Sequence, residues 1–502
     1  MNFKKFLILV IGIYLAIFLI LPQTEYQPAD PGIKILQIKD FIRSGYSNFV
    51  AYYPARELDS ELKFFPVRPP FAYIVSDNPY YVFPYFVTIL LTPFYLAGGV
   101  FALNFLSLIL GIVTLYFIYK ISIVIGMTDK FRKAMLIFSA FGSSLSISAF
   151  MFGEGIHATL LVTMSVFFIL RAKKFNENSF WFFLSGCLAG FSVFLRIELA
   201  LFCFLFLAGI ILFRMYSNRF NILLLVIGLL IPAILLIYAN YKVTGNIFGL
   251  RGIEFIEKSG TTYPVQKRFF NLLKALVVTE KGLGLFTAWP VFLYLIPFFM
   301  TMKKTKVSRE ILFLLFISLS FTLSVPFLVK NDDGSIFGPR FTTTLQPMLI
   351  LSVFYSIDLL SGDGRFSKLI SYLKFAVSYS VILVFFGYIV LFLFLKNSER
   401  TILEMDKNIS GKLIIMRNED LYSLVFPSFH SKYIVTIEEN EALFSFIQKH
   451  SRKLPENISI ISFSANGSAD LNIPSGFQYE FTGTYSRNGI LIRNMNLKPK
   501  EK

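Results

Sequence analysis

Long apolar stretches separated by short polar ones fill the chain up to about residue 396. Many are nearly uncharged over about seventeen residues or more, long enough to cross a hydrocarbon core as a helix. Hydropathy predicts about eleven transmembrane helices, at 5–22, 98–120, 134–151, 156–170, 180–196, 199–213, 221–240, 284–301, 310–329, 345–360 and 370–395. The stretch "YVFPYFVTILLTPFYLAGG" before the second span carries two prolines and a double glycine. It reads as a helix partly embedded in the outer half of the bilayer rather than a crossing. The first run follows Lys4 and Lys5 and lacks a small-residue cleavage site, so it reads as a retained first helix.

The pattern changes after residue 396. "KYIVTI" and "ISIISF" have strand length, and "ENEALFSFIQKH" places Leu443, Phe446 and Ile447 at helical spacing. "FTGTYSRNGILIRN" reads as a hairpin around Asn488-Gly489. The predicted fold is therefore an all-α polytopic membrane domain, residues 1–396, followed by a small extracytoplasmic α/β domain, residues 397–502. The membrane domain includes a first outer loop at 23–79 and a second long outer loop at 241–283.

Composition agrees: 55% of residues are hydrophobic and 16% charged, with a mean hydropathy of +0.63. The formal charge of +17 comes from 48 basic against 31 acidic residues. The basic residues mostly flank the spans, which points to topology and anionic membrane lipids rather than nucleic acid. With the N-terminus in the cytoplasm, the short loops "DKFRK", "RAKKF", "RMYSNR", "KKTKVSR" and "GDGRFSK" all fall inside and all are basic. An odd span count puts the tail outside. In the second long loop, "VQKRFFNLLKALVV" gathers Phe269, Phe270, Leu273, Leu276 and Val277 on one helical face, as in a basic helix lying along the interface. A packed connector helix fits the same pattern. Cys187 and Cys203 sit in apolar runs without metal-ligand spacing and read as small buried hydrophobes. The sequons at Asn408, Asn457 and Asn466 are weak signals.

Ionisable residues beside spans are costly and therefore informative. Asp30 follows the first span, and Asp77 ends the first outer loop. Glu154 and His157 lie in "MFGEGIHATLL", Arg196 and Glu198 in "FLRIELA", and Lys330, Asp332, Asp333 and Arg340 in "VKNDDGSIFGPRF". The predicted topology puts all of them on the outer face. A carboxylate there can take a proton from an acceptor hydroxyl, while Arg, Lys and His⁺ bind a donor phosphate and stabilise its charge as it leaves. Plainer roles compete. Asp30 before Pro31 fits a helix N-cap with proline at the first helical position. Glu154 and His157, three apart, share a helical face and fit a structural hydrogen-bonded pair; a single Glu-x-x-His is a weak metal signal. Arg196 and Glu198, two apart, do not face each other along a helix and suit a re-entrant turn. "NDDG" is first of all a turn.

The order of "ADPGIKILQ", "GEGIHATLL", "GCLAGFSVFLRIELAL", "NYKVTGNIFG" and "GPRFTTTLQP" resembles the GT-C superfamily of integral-membrane glycosyltransferases, among them the protein O-mannosyltransferases and the lipid A aminoarabinose transferases. The likeness covers residues 5–395. It implies a polyprenyl-phosphate sugar donor and an outward-facing site; the acceptor, a lipid, glycan or protein, stays open, and the Phe/Ile/Lys-rich usage fits a bacterial inner membrane. The resemblance makes Asp30 the general base or acceptor-binding acid and Glu154 a second acid. Arg196 and Arg340 match cations that meet the donor phosphate, with His157 and Lys330 as further candidates. Many relatives carry two acids together in the first loop, whereas here Asp30 is followed by Pro31; one role of that pair is missing or comes from Asp77 or Glu154, with Glu198, Asp332 and Asp333 as further candidates. No cofactor is assigned, and a divalent metal stays open. A transporter or flippase of lipid-linked glycan, or a non-catalytic membrane subunit, is the alternative.

Overall fold

The computed structural model describes residues 3–175, 178–250, 264–278, 282–302, 307–328, 334–335, 338–339, 342–362, 366, 368, 371–463, 473 and 477–499. The protein is mostly helical, with a C-terminal sheet, and forms two compact units. One comprises residues 1–21 and 97–392; the other comprises 22–96 and 393–502. The first outer loop thus shares a unit with the tail, although its sequence places it with the membrane domain.

Among the described residues, seven helices are long and apolar enough to cross a membrane: Phe3–Ile20, Tyr85–Val124, Glu154–Phe175, Arg219–Thr244, Arg309–Phe327, Thr343–Ser361 and Ser371–Asn408. Three shorter apolar helices, Phe180–Leu195, Leu199–Leu212 and Pro290–Thr301, cover further predicted spans. The span expected at 134–151 is not one helix. Asp129–Phe141 ends at Gly142, and the short helix Ser144–Ser148 follows. Ser139, Ser143, Ser144 and Ser146 are all buried there, and their hydroxyls offer the backbone local alternatives to a continuous helix. Ser143 and Ser146 donate to the carbonyls of Ser139 and Ser143, each at 2.7 Å.

The stretch expected to be partly embedded is helical from Tyr85 and continues to Val124, interrupted by non-helical backbone at Gly98 and Gly99. Gly99 sits at φ 58°, a conformation that favours glycine.

Packing in the membrane unit relies on small residues and interhelical hydrogen bonds. Helices Phe180–Leu195 and Arg219–Thr244 approach so closely that a Cβ on Gly186 would lie 2.3 Å from the Leu225 carbonyl, and one on Gly228 2.3 Å from that of Phe183. Ser165 and Ser185 exchange hydrogen bonds, each hydroxyl donating to the other's carbonyl at 2.9 and 2.8 Å. Tyr14 Oη donates to the Ala140 carbonyl at 2.6 Å, tying the first helix to Asp129–Phe141. Trp289 is buried, and Trp181 stacks on Phe168 with ring centroids 4.8 Å apart. The helix Val265–Leu276 forms as expected. Asn271 and Ala275 are buried, while Phe269, Phe270, Leu273 and Val277 are exposed.

In the other unit, the tail has the expected strands, helix and hairpin, and adds a strand at Leu413–Met416 that the sequence did not point to. Strands Leu413–Met416, Tyr433–Thr436, Asn457–Phe463, Phe477–Arg487 and Ile490–Pro499 form a five-stranded mixed sheet. Leu413–Met416 pairs in parallel with both Tyr433–Thr436 and Asn457–Phe463, and the last two strands are antiparallel. Asn488 and Gly489, at φ 51° and 76°, make the expected hairpin turn. Helix Asn440–Lys449 buries Leu443, Phe446 and Ile447. The first loop covers an edge of this sheet. Thr436 N donates to the Phe64 carbonyl at 2.9 Å, and the Phe64 ring meets Phe446 edge-on at 5.4 Å.

Candidate functional site

In the loop–tail unit, helix Asp30–Arg43 carries Asp30 at its start. Ile33 N donates to the Ala29 carbonyl at 3.3 Å, so Ala29 occupies the capping position and Asp30 is the first helical residue. The N-cap expected at Asp30 therefore falls one residue earlier. Asp30 lies in the first turn, where the helix macrodipole favours a carboxylate. The preceding chain is pinned. Glu25 accepts from Lys39 Nζ at 2.6 Å and from Tyr95 Oη at 2.8 Å, and Gln27 Nε2 donates to the Thr24 carbonyl at 2.9 Å.

Polar groups continue along this helix. Asp30, Lys34 and Gln37 follow four- and three-residue steps and share a face; Lys34, Gln37 and Asp40 are all buried. Lys34 Nζ lies 4.7 Å from the Phe83 ring centroid, and Gln37 Nε2 donates to the Phe83 carbonyl at 3.1 Å. Asp40 accepts from Tyr52 N at 3.0 Å through one oxygen and meets His430 Nε2 at 2.7 Å through the other. The tail segment Glu419–Ser428 also comes to this helix. Burial, followed by the charges of Asp30 and Asp420, pushes the Tyr422 phenol well above its ordinary range.

Asp77 belongs to the same unit but serves a tight turn. Ser76 and Asp77 adopt φ 49° and 57° between strands Ala72–Val75 and Asn78–Tyr81, and the Asp77 carbonyl accepts from Arg56 at 2.8 Å. Its side chain is exposed.

In the membrane unit, Glu154 begins helix Glu154–Phe175, with Glu154 and His157 both buried. His157 Nδ1 lies 2.8 Å from the Gly153 carbonyl. A carbonyl can only accept, so Nδ1 holds the proton and Nε2 is the acceptor in the neutral ring. Asn104 Oδ1 accepts from Phe152 N at 2.8 Å and fixes the entry to this helix. The chain leaves helix Phe180–Leu195 at Arg196, which is extended at φ −146°, ψ 112°. That departure lets residues two apart face each other, and Arg196 Nε meets Glu198 Oε1 at 2.6 Å, with Arg196 buried and the Glu198 side chain 10% exposed. A Cβ on Gly155 would lie 3.8 Å from Arg196 Nη1, so the guanidinium stands against the first turn of the Glu154 helix. The structure thus brings Glu154, His157, Arg196 and Glu198 to one neighbourhood of this unit: a buried fork of donors beside a buried carboxylate and an imidazole.

Lys330, Asp332, Asp333 and Arg340 lie outside the described residues. Among the described residues, no group of three or more His, Cys, Asp or Glu side chains is placed to hold a metal ion. Sequence reasoning passed over Lys34, Asp40, Tyr422 and His430. For Lys34 a signal existed, its four-residue spacing from Asp30; Asp40 and His430 are 390 positions apart, and nothing local couples them.

No protein-family model and no curated protein matches the sequence. Solved structures do match. The crystal structure of ArnT, an aminoarabinose transferase, from Cupriavidus metallidurans bound to undecaprenyl phosphate is similar at a TM-score of 0.56, with 10% identity over 98% of each chain. The oligosaccharyltransferase of Archaeoglobus fulgidus in its apo form is similar at a TM-score of 0.50, with 11% identity over 92% of this chain and 70% of that one. Both are GT-C proteins, and the chain shares the fold of the first over nearly its whole length.

Proposed function

We propose that the protein is a glycosyltransferase that moves a sugar from a polyprenyl-phosphate donor to an acceptor on the outer face of a bacterial inner membrane. The observation that carries this reading is the end-to-end fold likeness to ArnT, crystallised with undecaprenyl phosphate. Supporting it are an acid in the first helical turn of the loop after the first span and a buried arginine with two carboxylates and a histidine in the membrane unit.

In this reading Asp30 takes the proton of the acceptor hydroxyl. The oxygen forms a bond to the anomeric carbon as that carbon's bond to the phosphate oxygen breaks, and the electron pair leaves with the polyprenyl phosphate. Arg196 binds that phosphate and stabilises its growing charge; its planar fork of donors suits the task. Glu198 orients the fork by holding Nε. Glu154 is a second acid at the acceptor, and His157, with its Nδ1 proton committed to Gly153, offers Nε2 as an acceptor. Lys330 and Arg340 are proposed as further phosphate ligands, and Asp332 and Asp333 as further acids. Asp77 is a less favoured acid because its turn role accounts for it.

The test is transfer of labelled sugar from a polyprenyl-phosphate donor by the full chain in proteoliposomes. Asp30→Asn is expected to abolish transfer while leaving donor binding in place. Unchanged transfer by Asp30→Asn would remove Asp30 as the base, and solute accumulation without product would favour a transporter.

A further inference from the structure

The tail meets the Asp30 helix at two places, Gly32 and Asp40, eight residues apart on that helix. Near its start, a Cβ on Gly32 would lie 2.1 Å from the Gln27 carbonyl and 2.2 Å from Phe426 Cε2. Only glycine lets the helix pass between the Gln27 backbone and the Phe426 ring. Toward its end, His430 Nε2 lies 2.7 Å from Asp40 Oδ1, where Asp40 is 2% exposed and its other oxygen accepts from Tyr52 N. Arg43 lies over the Tyr52 ring at 3.6 Å. The tail segment is itself fixed at both ends. Asn418 Oδ1 accepts from Asp420 N at 2.7 Å, and Ser428 Oγ donates to Asp406 on the helix that leads into the tail. Between these ends, Tyr422 and Phe426 pack ring to ring at 5.7 Å.

We propose that tail segment 419–430 is a strap that positions the carboxylate of Asp30, with Phe426 and His430 as positioning residues. The proposal rests on the reading of Asp30 as the base. It gives the C-terminal domain a part in the transfer step: Phe426 seats the first turn that carries Asp30, and the His430–Asp40 contact fixes the last turn of the same helix. A helix held at both ends keeps its first side chain in one place, and transfer depends on that geometry to within about an ångström.

The experiment uses the full chain in lipid nanodiscs and two readouts. Amide hydrogen exchange of residues 30–43 requires no substrate. Phe426→Ala and His430→Ala are expected to speed exchange there by about tenfold or more, while strands 413–416 and 457–463 keep their protection. In the transfer assay both variants are expected to lower kcat about tenfold with donor KM within about twofold, the signature of a misplaced reacting group rather than of lost donor binding. His430→Gln, which keeps a donor toward Asp40, restores most of kcat. Unchanged exchange in both alanine variants overturns the strap. Faster exchange with unchanged kcat overturns its positioning role, and an equal loss in His430→Gln overturns the Asp40 contact as the cause. If the wild type transfers no sugar, the glycosyltransferase reading fails, and the exchange readout still decides the strap.

Discussion

Arg196 and Glu198 form an ion pair largely withdrawn from solvent, Nε to Oε1 at 2.6 Å with 5% and 10% of the side chains exposed, across only one intervening residue. Removing one partner strands the other charge in a low-dielectric setting, at a cost of about 3–5 kcal/mol. Glu198→Ala is therefore expected to lower thermal stability clearly, and Glu198→Ala combined with Arg196→Met by less than the sum of the single changes. A double-mutant cycle on Tm in nanodiscs checks this; strict additivity would show that the pair does not couple.

Glu154→Gln keeps the shape of a buried side chain and removes its charge. If Glu154 acts as the second acid, single-turnover transfer should slow by about 10²-fold while labelled donor still binds. Lost binding with an unchanged transfer step would move Glu154 to a donor-holding role.

Gly32 and Gly12 make a matched pair of substitutions. A Cβ at Gly32 collides with backbone and ring, whereas one at Gly12, within the first helix, meets nothing within 4 Å. Gly32→Ala should destabilise the loop–tail unit by about 1–3 kcal/mol, the cost of overpacking. Gly12→Ala should be neutral or gain up to about 1 kcal/mol in helix propensity. Protease resistance of the first loop separates the two, and equal resistance would contradict the close approach at Gly32.

A nitroxide placed at residue 270 or 273 reports whether helix Val265–Leu276 lies in the bilayer interface. Collision with oxygen should exceed collision with a water-soluble nickel reagent at these exposed apolar positions, and the order should reverse at Lys267. Water-like accessibility at 270 would restore the connector-helix reading.

Asp59 should make the pH dependence of stability depart from that of an ordinary paired acid. Burial pushes its carboxyl up from 3.8, outweighing the bonds it accepts from Phe64 N, Tyr53 Oη and Lys63 N. The folded state therefore binds this proton more tightly than the unfolded chain does. Its contribution is full below 3.8 and is lost as pH rises through the raised folded value. The stability of the wild type minus that of Asp59→Asn should grow on acidification from about pH 7 to about pH 4. A constant difference would sink the assignment.

The sequence reveals what local periodicity controls. The Asn488-Gly489 hairpin, helix Asn440–Lys449 and helix Val265–Leu276 follow from spacing over ten or so residues, and the structure has each. The break at Gly142 escapes hydropathy because serines and a glycine inside an apolar run leave the average high; what matters there is where each hydroxyl donates. Asp30 and Arg196 stand out because a charge beside a span is unusual. Asp40 and His430 do not, since each alone looks like a surface residue and only the folded chain buries one against the other. Gly32 is half such a case: the Gln27 carbonyl that crowds it is local, but Phe426, which crowds it equally, lies nearly four hundred positions away.

The chain has two tryptophans, Trp181 and Trp289, and both belong to the unit of residues 1–21 and 97–392. Intrinsic tryptophan emission therefore observes that unit alone. Denaturation followed by emission would report its melting and stay blind to an independent melting of the sheet and the Asp30 helix, so a single smooth emission curve is no proof of two-state behaviour. Tyrosine-sensitive or far-ultraviolet signals, which sample both units, are the ones that would register a separate transition.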